Sequence, residues 1–251
     1  MPDIYHFQYC EKMIDVYKKQ IEIAPSLCDH SGHLSVPDVF GLFMDIATAH
    51  ANSLGIGYAE LAEKDLYWLT VKTKIRIVKR PFMNSSAELA TWPEHPDRLF
   101  CTRDYTLSAG EELLACGKTE WGTINTKTGR LAPVAEIYPK ELVISDAIAL
   151  PDPFARFEHG FDGELIGEYT VKSTDIDVGG HMNNVAYVRA FAGLFSTEEW
   201  TELDPSDIEI IFKNQCFEGD KLLFKKRIAD GVMTVQAFLP DGKAAVQIVI
   251  S

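Results

Sequence analysis

The chain has 251 residues, 46% of them apolar, which suffices for one large domain or two of ordinary size and a core that needs no disulfide or metal staple. A formal net charge of −13 excludes a general nucleic-acid binder, which needs a basic face. The cysteines (Cys10, Cys28, Cys101, Cys116, Cys216) are odd in number and scattered, with no CxxC pair and no Cys/His spacing suited to zinc. Reduced thiols in the cytoplasm are therefore expected.

Taken in chain order, the N-terminal stretch MPDIYHFQYCEKMIDVYKK lacks the basic-then-apolar order of a signal peptide. No charge-free apolar run is long enough to span a bilayer, so a soluble protein with no membrane partner is expected. Asp29-His-Ser-Gly-His33 follows, with the pattern D-x-x-G-H, and then LSVPDVFGLFMDIATAHANSLG. This segment predicts a helix, with Ser35 as N-cap, Pro37 in the first turn and Asp38 placed well for the helix dipole. Its apolar residues (Val39, Phe40, Leu42, Phe43, Ile46, Ala47, Leu54) cover more than one face, as in a helix enclosed by its domain. LYWLTVKTKIRIVKR then alternates Val71, Thr73, Ile75 and Ile77 against Lys72, Lys74 and Arg76, and predicts a strand. Two more strands occupy Phe100–Leu131, broken at Ser108-Ala-Gly110 and Thr128-Gly129.

Residues 146–164 carry two of the chain's prolines and no clear period, and read as a linker. Beyond it, Asp177-Val-Gly-Gly-His181 repeats D-x-x-G-H, and 177 less 29 and 181 less 33 both give 148. MNNVAYVRAFAGLFSTEEW predicts a second helix, with Asn183 or Asn184 as cap and Val185, Tyr187, Val188, Phe191, Leu194 and Phe195 as its apolar set. IEIIFKNQC, KLLFKKRIA, VMTVQAFL and AAVQIVI read as strands. Each half is thus a loop, one buried helix and several antiparallel strands. That order predicts an α+β chain of two tandem hotdog domains, residues 1–145 and 165–251, each a sheet wrapped around one long helix.

The chain resembles the acyl-acyl-carrier-protein thioesterase family over nearly its whole length. The likeness rests on D-V-G-G-H-M-N-N-V-A-Y (Asp177–Tyr187), the stretch Phe212–Cys216, Trp68-Leu-Thr, Thr102-Arg-Asp-Tyr, and Trp121 with Asn125–Leu131. The resemblance implies hydrolysis of fatty acyl thioesters of acyl carrier protein, with the C-terminal domain catalytic and the N-terminal one binding the acyl chain. Two positions depart from the family pattern. Gly179 stands where the family has Asn, and Gln215 where it has Glu. Gln has no useful basicity, so it cannot be a general base.

Thioester hydrolysis needs an activated water or nucleophile, donors for the oxyanion, and a proton for the leaving thiolate. Asp177 is the candidate base or nucleophile. His181 is the candidate to orient water, polarise the carbonyl or protonate the thiolate. Gly179 and Gly180 would let a backbone N–H near the helix start approach the carbonyl. Gln215 would position groups by hydrogen bonding, and Asn183 is a cap at the substrate side of the loop. The alternative for this loop is a helix-capping turn with no chemistry, which is the preferred reading for Asp29 and His33. Pro81 and Phe82 are taken as the counterparts of Gln215 and Cys216. Cys216 reads as a buried hydrophobe, with a Cys216–His181 pair as the alternative. Lys72, Lys74, Arg76, Lys79, Arg80, Lys213 and Lys225-Lys-Arg227 form either a basic docking patch for acidic acyl carrier protein or ordinary solvated strand faces. No phosphate loop or metal constellation is present in the sequence, and no cofactor is implied. An acyl-CoA thioesterase and a non-catalytic acyl-binding protein stay open as readings. So does a homodimer, although two fused domains already supply a pair within one chain.

Overall fold

The computed structural model describes residues 16–251. Cys10 and the stretch read above for a signal peptide lie outside the described residues. The first half runs β1 (Tyr17–Glu22), α1 (Val36–Ser53), α2 (Tyr58–Ala62), β2 (Leu66–Ile77), β3 (Ser86–Pro93), β4 (Phe100–Ala109), β5 (Glu112–Asn125) and β6 (Arg130–Ala132). The second runs β7 (Glu164–Thr170), α3 (Asn184–Ala192), α4 (Thr197–Leu203), β8 (Asp207–Phe212), β9 (Lys221–Ala229), β10 (Val232–Phe238) and β11 (Ala244–Ile250). The strands form one antiparallel sheet in the order β1-β3-β4-β5-β2-β8-β11-β10-β9-β7, with β6 on β5. The order is two five-strand sheets of the same topology, joined where β2 meets β8 through Lys72↔Ile211, Thr73↔Ile210 and Arg76↔Asp207. This is the double hotdog expected from the sequence repeat.

Helix α1 begins as its residues dictate. The Ser35 hydroxyl accepts from the Asp38 amide at 3.2 Å, Pro37 sits in the first turn, and Asp38 lies at the positive end of the dipole. Its buried set, Val36, Val39, Phe40, Phe43, Ile46, Ala47 and His50, forms one stripe against the sheet, with Phe43 stacked on Tyr105 at 4.9 Å. The helix is therefore not enclosed on all sides. Leu42, Asp45 and Thr48, on the opposite face, border a cavity. In the second half, α3 has 9 residues against 18 in α1. It stops at Gly193, and Ser196 with Glu199 forms a capping box that starts α4. Leu194 and Phe195 thus fall in the turn between two helices, where Phe195 packs on Phe191 at 5.2 Å.

Inward residues of β2 (Thr73, Ile75, Ile77) are buried, as the alternation requires, whereas a bulge between Thr70 and Lys72 shifts Val71 out of that register. The outward residues Lys72, Lys74 and Arg76 do not form a free basic patch. The linker lies over them: Phe154 sits under the ammonium groups of Lys72 and Lys118, Lys74 donates to the Pro153 carbonyl at 3.2 Å, and Arg76 binds Asp152 and Asp207. Lys79, Arg80, Lys226 and Arg227 are likewise paired, with Glu112, Asp29, Glu164 and Glu158. Side-chain amides hold the linker further along. The Gln247 carbonyl oxygen accepts from the Glu158 amide at 2.8 Å, and the Gln236 amide donates to the Glu158 carbonyl at 2.7 Å. Among the described residues, no helix is long and apolar enough to cross a membrane.

Candidate active site

Both D-x-x-G-H loops fold the same way. In the first, the Asp29 amide donates to the His33 carbonyl (2.9 Å) and the Gly32 amide to the Asp29 carbonyl (3.0 Å); in the second, Asp177 and His181, then Gly180 and Asp177, do so at 2.9 and 3.0 Å. Gly32 and Gly180 have φ of 77° and 78°, a left-handed turn that favours glycine. Strand bridges Cys28↔Leu34 and Ile176↔Met182 close the two loops. Each loop is pinned by the next element, Leu34 to the Pro81 carbonyl and Met182 to the Cys216 carbonyl. Each His packs on a Phe, His33 on Phe82 and His181 on Phe217, both at 5.3 Å.

These pairs correct the sequence alignment of the halves. Pro81 matches Cys216 and Phe82 matches Phe217, so the counterpart of Gln215 is Arg80. Gln215 also lies in the loop after β8, which ends at Phe212, rather than in a strand. A strand running through Cys216, as the sequence suggests, shifts that register by one; β8 ends at Phe212 instead.

The carboxylates differ because of two exchanges, Arg80 for Gln215 and Ser31 for Gly179. Asp29 Oδ1 accepts from the Ser31 amide at 2.9 Å and hydroxyl at 2.5 Å, and Oδ2 binds the Arg80 guanidinium. Burial works against ionisation, but the Ser31 and Arg80 bonds outweigh it and hold the Asp29 carboxyl below its ordinary value. Asp177 Oδ1 accepts from the Gly179 amide at 2.8 Å, and Oδ2 has no donor among the described residues. Gln215, where Arg80 stands in the other copy, is exposed. Asp177 therefore keeps an open oxygen on a cavity wall, whereas Asp29 is neutralised away from it.

The cavity measures about 700 Å³ and lies between the halves. Asp177, His181, Asn183 and Gln215 line it from one side, and Tyr67, Thr70 and the outer face of α1 from the other. The structure thus brings together four of the six candidate residues. Gly179 and Gly180 are not on the wall, and both amides are engaged, with the Asp177 carboxylate and carbonyl. They are not open oxyanion donors; the amides of Val178 and His181 are the motif N–H groups without a partner among the described residues, and that of His181 is the nearer in sequence to the start of α3. Asn183 is the cap of α3, its side-chain oxygen accepting from the Val185 amide at 2.8 Å. Asn184 instead reaches across to the Thr70 hydroxyl at 2.8 Å and ties the loop to β2. Asp175 is occupied by the Tyr169 hydroxyl and the Lys172 amide, both at 2.8 Å. Cys216 is fully buried, and burial pushes its thiol up, which removes it as a thiolate partner for His181.

Tyr67 was not singled out from the sequence. A β-carbon placed on Gly179 would lie 2.7 Å from the Tyr67 hydroxyl oxygen and 3.1 Å from Asp177 Oδ1. The phenol thus fills the space that an Asn side chain at 179 would need. Burial, then the negative charge of Asp177, pushes the Tyr67 phenol up, so its proton stays on as a donor at neutral pH. Its place beside Trp68-Leu-Thr is the one local signal; the contact between domains has none.

A carboxylate, an imidazole and a partner-free amide thus meet at one cavity between two hotdog units, which defines a double-hotdog protein with a candidate reacting centre there. The model of the acyl-ACP thioesterase N-terminal domain matches residues 14–142, and that of the C-terminal domain residues 160–237. The chain belongs to the acyl-ACP thioesterase family. It is 25% identical over 197 residues to the acyl-[acyl-carrier-protein] hydrolase FATB3 of Cuphea viscosissima, covering 72% of this chain and 47% of that one. It is 23% identical over 205 residues to the oleoyl-acyl carrier protein thioesterase of Coriandrum sativum, covering 74% and 55%. The chain thus spans about half the length of these curated relatives. In fold it is similar to an acyl-ACP thioesterase from Bacteroides thetaiotaomicron (TM-score 0.82, 20% identity, covering 94% of this chain and 97% of that one). It is also similar to the 12:0-ACP thioesterase from Umbellularia californica (TM-score 0.79, 19% identity, covering 94% and 96%).

Proposed function

We propose that this chain hydrolyses fatty acyl thioesters of acyl carrier protein, releasing free fatty acid and carrier protein and so ending chain elongation. The observation that carries the reading is the open oxygen of Asp177 facing the cavity, in a chain of this family. Asp177 takes a proton from water as the oxygen attacks the thioester carbonyl. The His181 amide receives the oxyanion, a contribution of about 3 kcal/mol for one such donor. Collapse of the tetrahedral intermediate breaks the C–S bond, and the proton on Asp177 passes by way of the His181 imidazole to the leaving thiolate. Gln215 and Tyr67 orient water by hydrogen bonding, and Asn183 holds the loop. Residues 1–145 supply the acyl wall through α1 and β2, residues 146–164 the linker, and residues 165–251 the reacting groups.

Asp177→Asn and His181→Ala, assayed separately for thiol release from acyl carrier protein thioesters, are each expected to lose about 10²–10⁴-fold in kcat. Retention of the wild-type rate by both ends the proposal. The paired state of Lys72, Lys74 and Arg76 removes the charge argument for a carrier protein over CoA at that face. The same acyl group on CoA and on carrier protein, compared by kcat/KM, separates those substrates. Tight acyl binding without thiol release would instead mark a non-catalytic acyl-binding protein, the reading that Gly179 and Gln215 favour. A cytoplasmic location accords with four free cysteines among the described residues. Light scattering checks for a homodimer.

A further inference from the structure

Thr70 stands where the two half-sheets part. The ladder between β2 and β8 ends at Lys72↔Ile211, and residues 67–71, at and before the bulge between Thr70 and Lys72, line the cavity. A bulge in such a place re-aims side chains toward a site. Trp68, two residues before Thr70 and so on the same face of β2, packs on Trp121 and Tyr138, both at 6.2 Å, and these rings line the cavity as well. Across the boundary between the halves, Thr70 Oγ1 accepts from Asn184 Nδ2 at 2.8 Å. Asn184 is the first residue of α3, three residues after His181. The hydroxyl is thus held between an aromatic wall and the reacting loop. Thr70 is 7% exposed, so its polar hydrogen has little access to bulk solvent. Threonine carries one O–H and the asparagine amide two N–H. One of these three is used between the two side chains, whichever donates, and the other two meet no acceptor among the described residues. A buried donor left without a partner is unfavourable, whereas one on a cavity can receive its acceptor from a guest. The start of α3 adds positive potential, which favours a guest oxygen that gains negative charge.

We propose that Thr70 is a catalytic residue: its hydroxyl, held in place by Asn184, donates to the oxygen of the thioester carbonyl and completes with the His181 amide a two-donor oxyanion site. The inference rests on the hydrolase reading above. As the water oxygen bonds to the carbonyl carbon, the C=O electron pair moves onto the carbonyl oxygen, and the bond from Thr70 strengthens with that charge. When the C–S bond breaks, the pair returns to the C=O bond and its own electrons leave on sulfur. The acyl chain runs from this point along Trp68, Trp121 and Tyr138. Thr70 comes from the first half and His181 from the second, so the oxyanion is held by both donors only where the halves meet. The first half then supplies a reacting-centre donor as well as an acyl wall.

The test uses the full chain as wild type, T70V and T70S. Thiol release is followed on a decanoyl thioester of carrier protein, and calorimetry reads two uncleavable pantetheine thioethers, an oxododecyl one that keeps a ketone oxygen and a dodecyl one that lacks it. T70V is expected to lose about 10²–10³-fold in kcat, the scale of one oxyanion donor, and T70S, which keeps the hydroxyl, to recover most of it. T70V is also expected to weaken the ketone about tenfold and to leave the dodecyl thioether unchanged, a split that a packing role does not produce. A T70V enzyme with the wild-type kcat overturns the proposal, as do equal weakening of both thioethers and a T70S no faster than T70V. Should T70V not fold, T70A is read in the same way. If the wild type cleaves no thioester, the hydrolase reading falls and the thioethers decide the donor alone: weakening of the ketone only supports it, and weakening of both or neither overturns it.

Discussion

Gly179→Ala is a one-carbon test of how the loop is built. The residue's φ is outside the left-handed region, so alanine suits the backbone, and the new methyl meets only side chains: the Tyr67 hydroxyl at 2.7 Å, the Tyr67 ring at 3.2 Å and Asp177 Oδ1 at 3.1 Å. The phenol must swing away. Overpacking of this kind costs about 1–3 kcal/mol of stability. A hydroxyl that donates to a charged or developing anionic group is worth about 1.5–3 kcal/mol, so its displacement should lower kcat/KM by about 10–150-fold. The cause is specific, and a double-mutant cycle isolates it. In a Tyr67→Val background the hydroxyl is already gone and the space is open, so adding Gly179→Ala should cost little further. The expected coupling is at least about 1 kcal/mol, from thiol-release kinetics on the four proteins. Additive losses, or a Gly179→Ala enzyme as fast as wild type, would refute the claim that Tyr67 occupies the family's Asn position.

Asp29→Asn should destabilise the fold by about 1.5–3 kcal/mol at neutral pH, the scale of a charge-assisted hydrogen bond, while thiol release at saturating substrate stays near wild type. Its carboxyl is held below the ordinary value, so this stability is present above the unfolded aspartate value and fades as pH falls through the folded one; urea melts across that acid range check it. Asp104, buried beside Glu94, is pushed up to about 7, chiefly by burial. The folded state then holds a proton that the unfolded state has lost, so stability falls as pH rises from the ordinary aspartate range to about 7, and Asp104→Asn should flatten that slope in thermal melts. Gln215→Glu adds a carboxylate at the exposed rim of the same cavity and should raise kcat on acyl carrier protein thioesters; a fall in kcat would show that the amide itself is required.

Much of this architecture is written in the chain because the repeated elements are local. The spacing of 148 survives into the coordinates residue by residue, from the glycine turns to the strand bridges, since D-x-x-G-H specifies its own hydrogen bonds. The Ser35 cap is legible for the same reason, and the second cap to within Asn183 or Asn184, of which the structure takes Asn183. What failed was either a local stop or strand signal that a hydrophobic count passes over, or a partner distant in sequence. The length of α3 is decided by Gly193 and a capping box that a hydrophobic count ignores. The basic run of β2 reads as a docking face until the linker is laid over it. β3 escaped notice because Ser86–Pro93 opens on small residues and ends in proline. Tyr67 meets the reacting loop only through the pairing of β2 with the second half, and its place beside Trp68-Leu-Thr is its one signal in the sequence.

The two D-x-x-G-H copies differ at few positions. Backbone, glycine turn, histidine and phenylalanine contact are shared, so none of them can be what makes the second copy different. Two exchanges remain: Ser31 and Arg80 close on Asp29, whereas Gly179 and Gln215 leave one oxygen of the matching carboxylate open to the cavity. Gln215→Arg should therefore give the second loop the ion pair of the first. Its guanidinium is expected to bind Asp177, lower the carboxyl's basicity and cut kcat by about the 10²–10⁴-fold of a lost general base, with the fold unharmed because the same pair already stabilises residues 29 and 80. Thiol release and a thermal melt on one preparation suffice. A Gln215→Arg chain that is stable and still turns over at the wild-type rate would mean that the open carboxylate is not the group that acts.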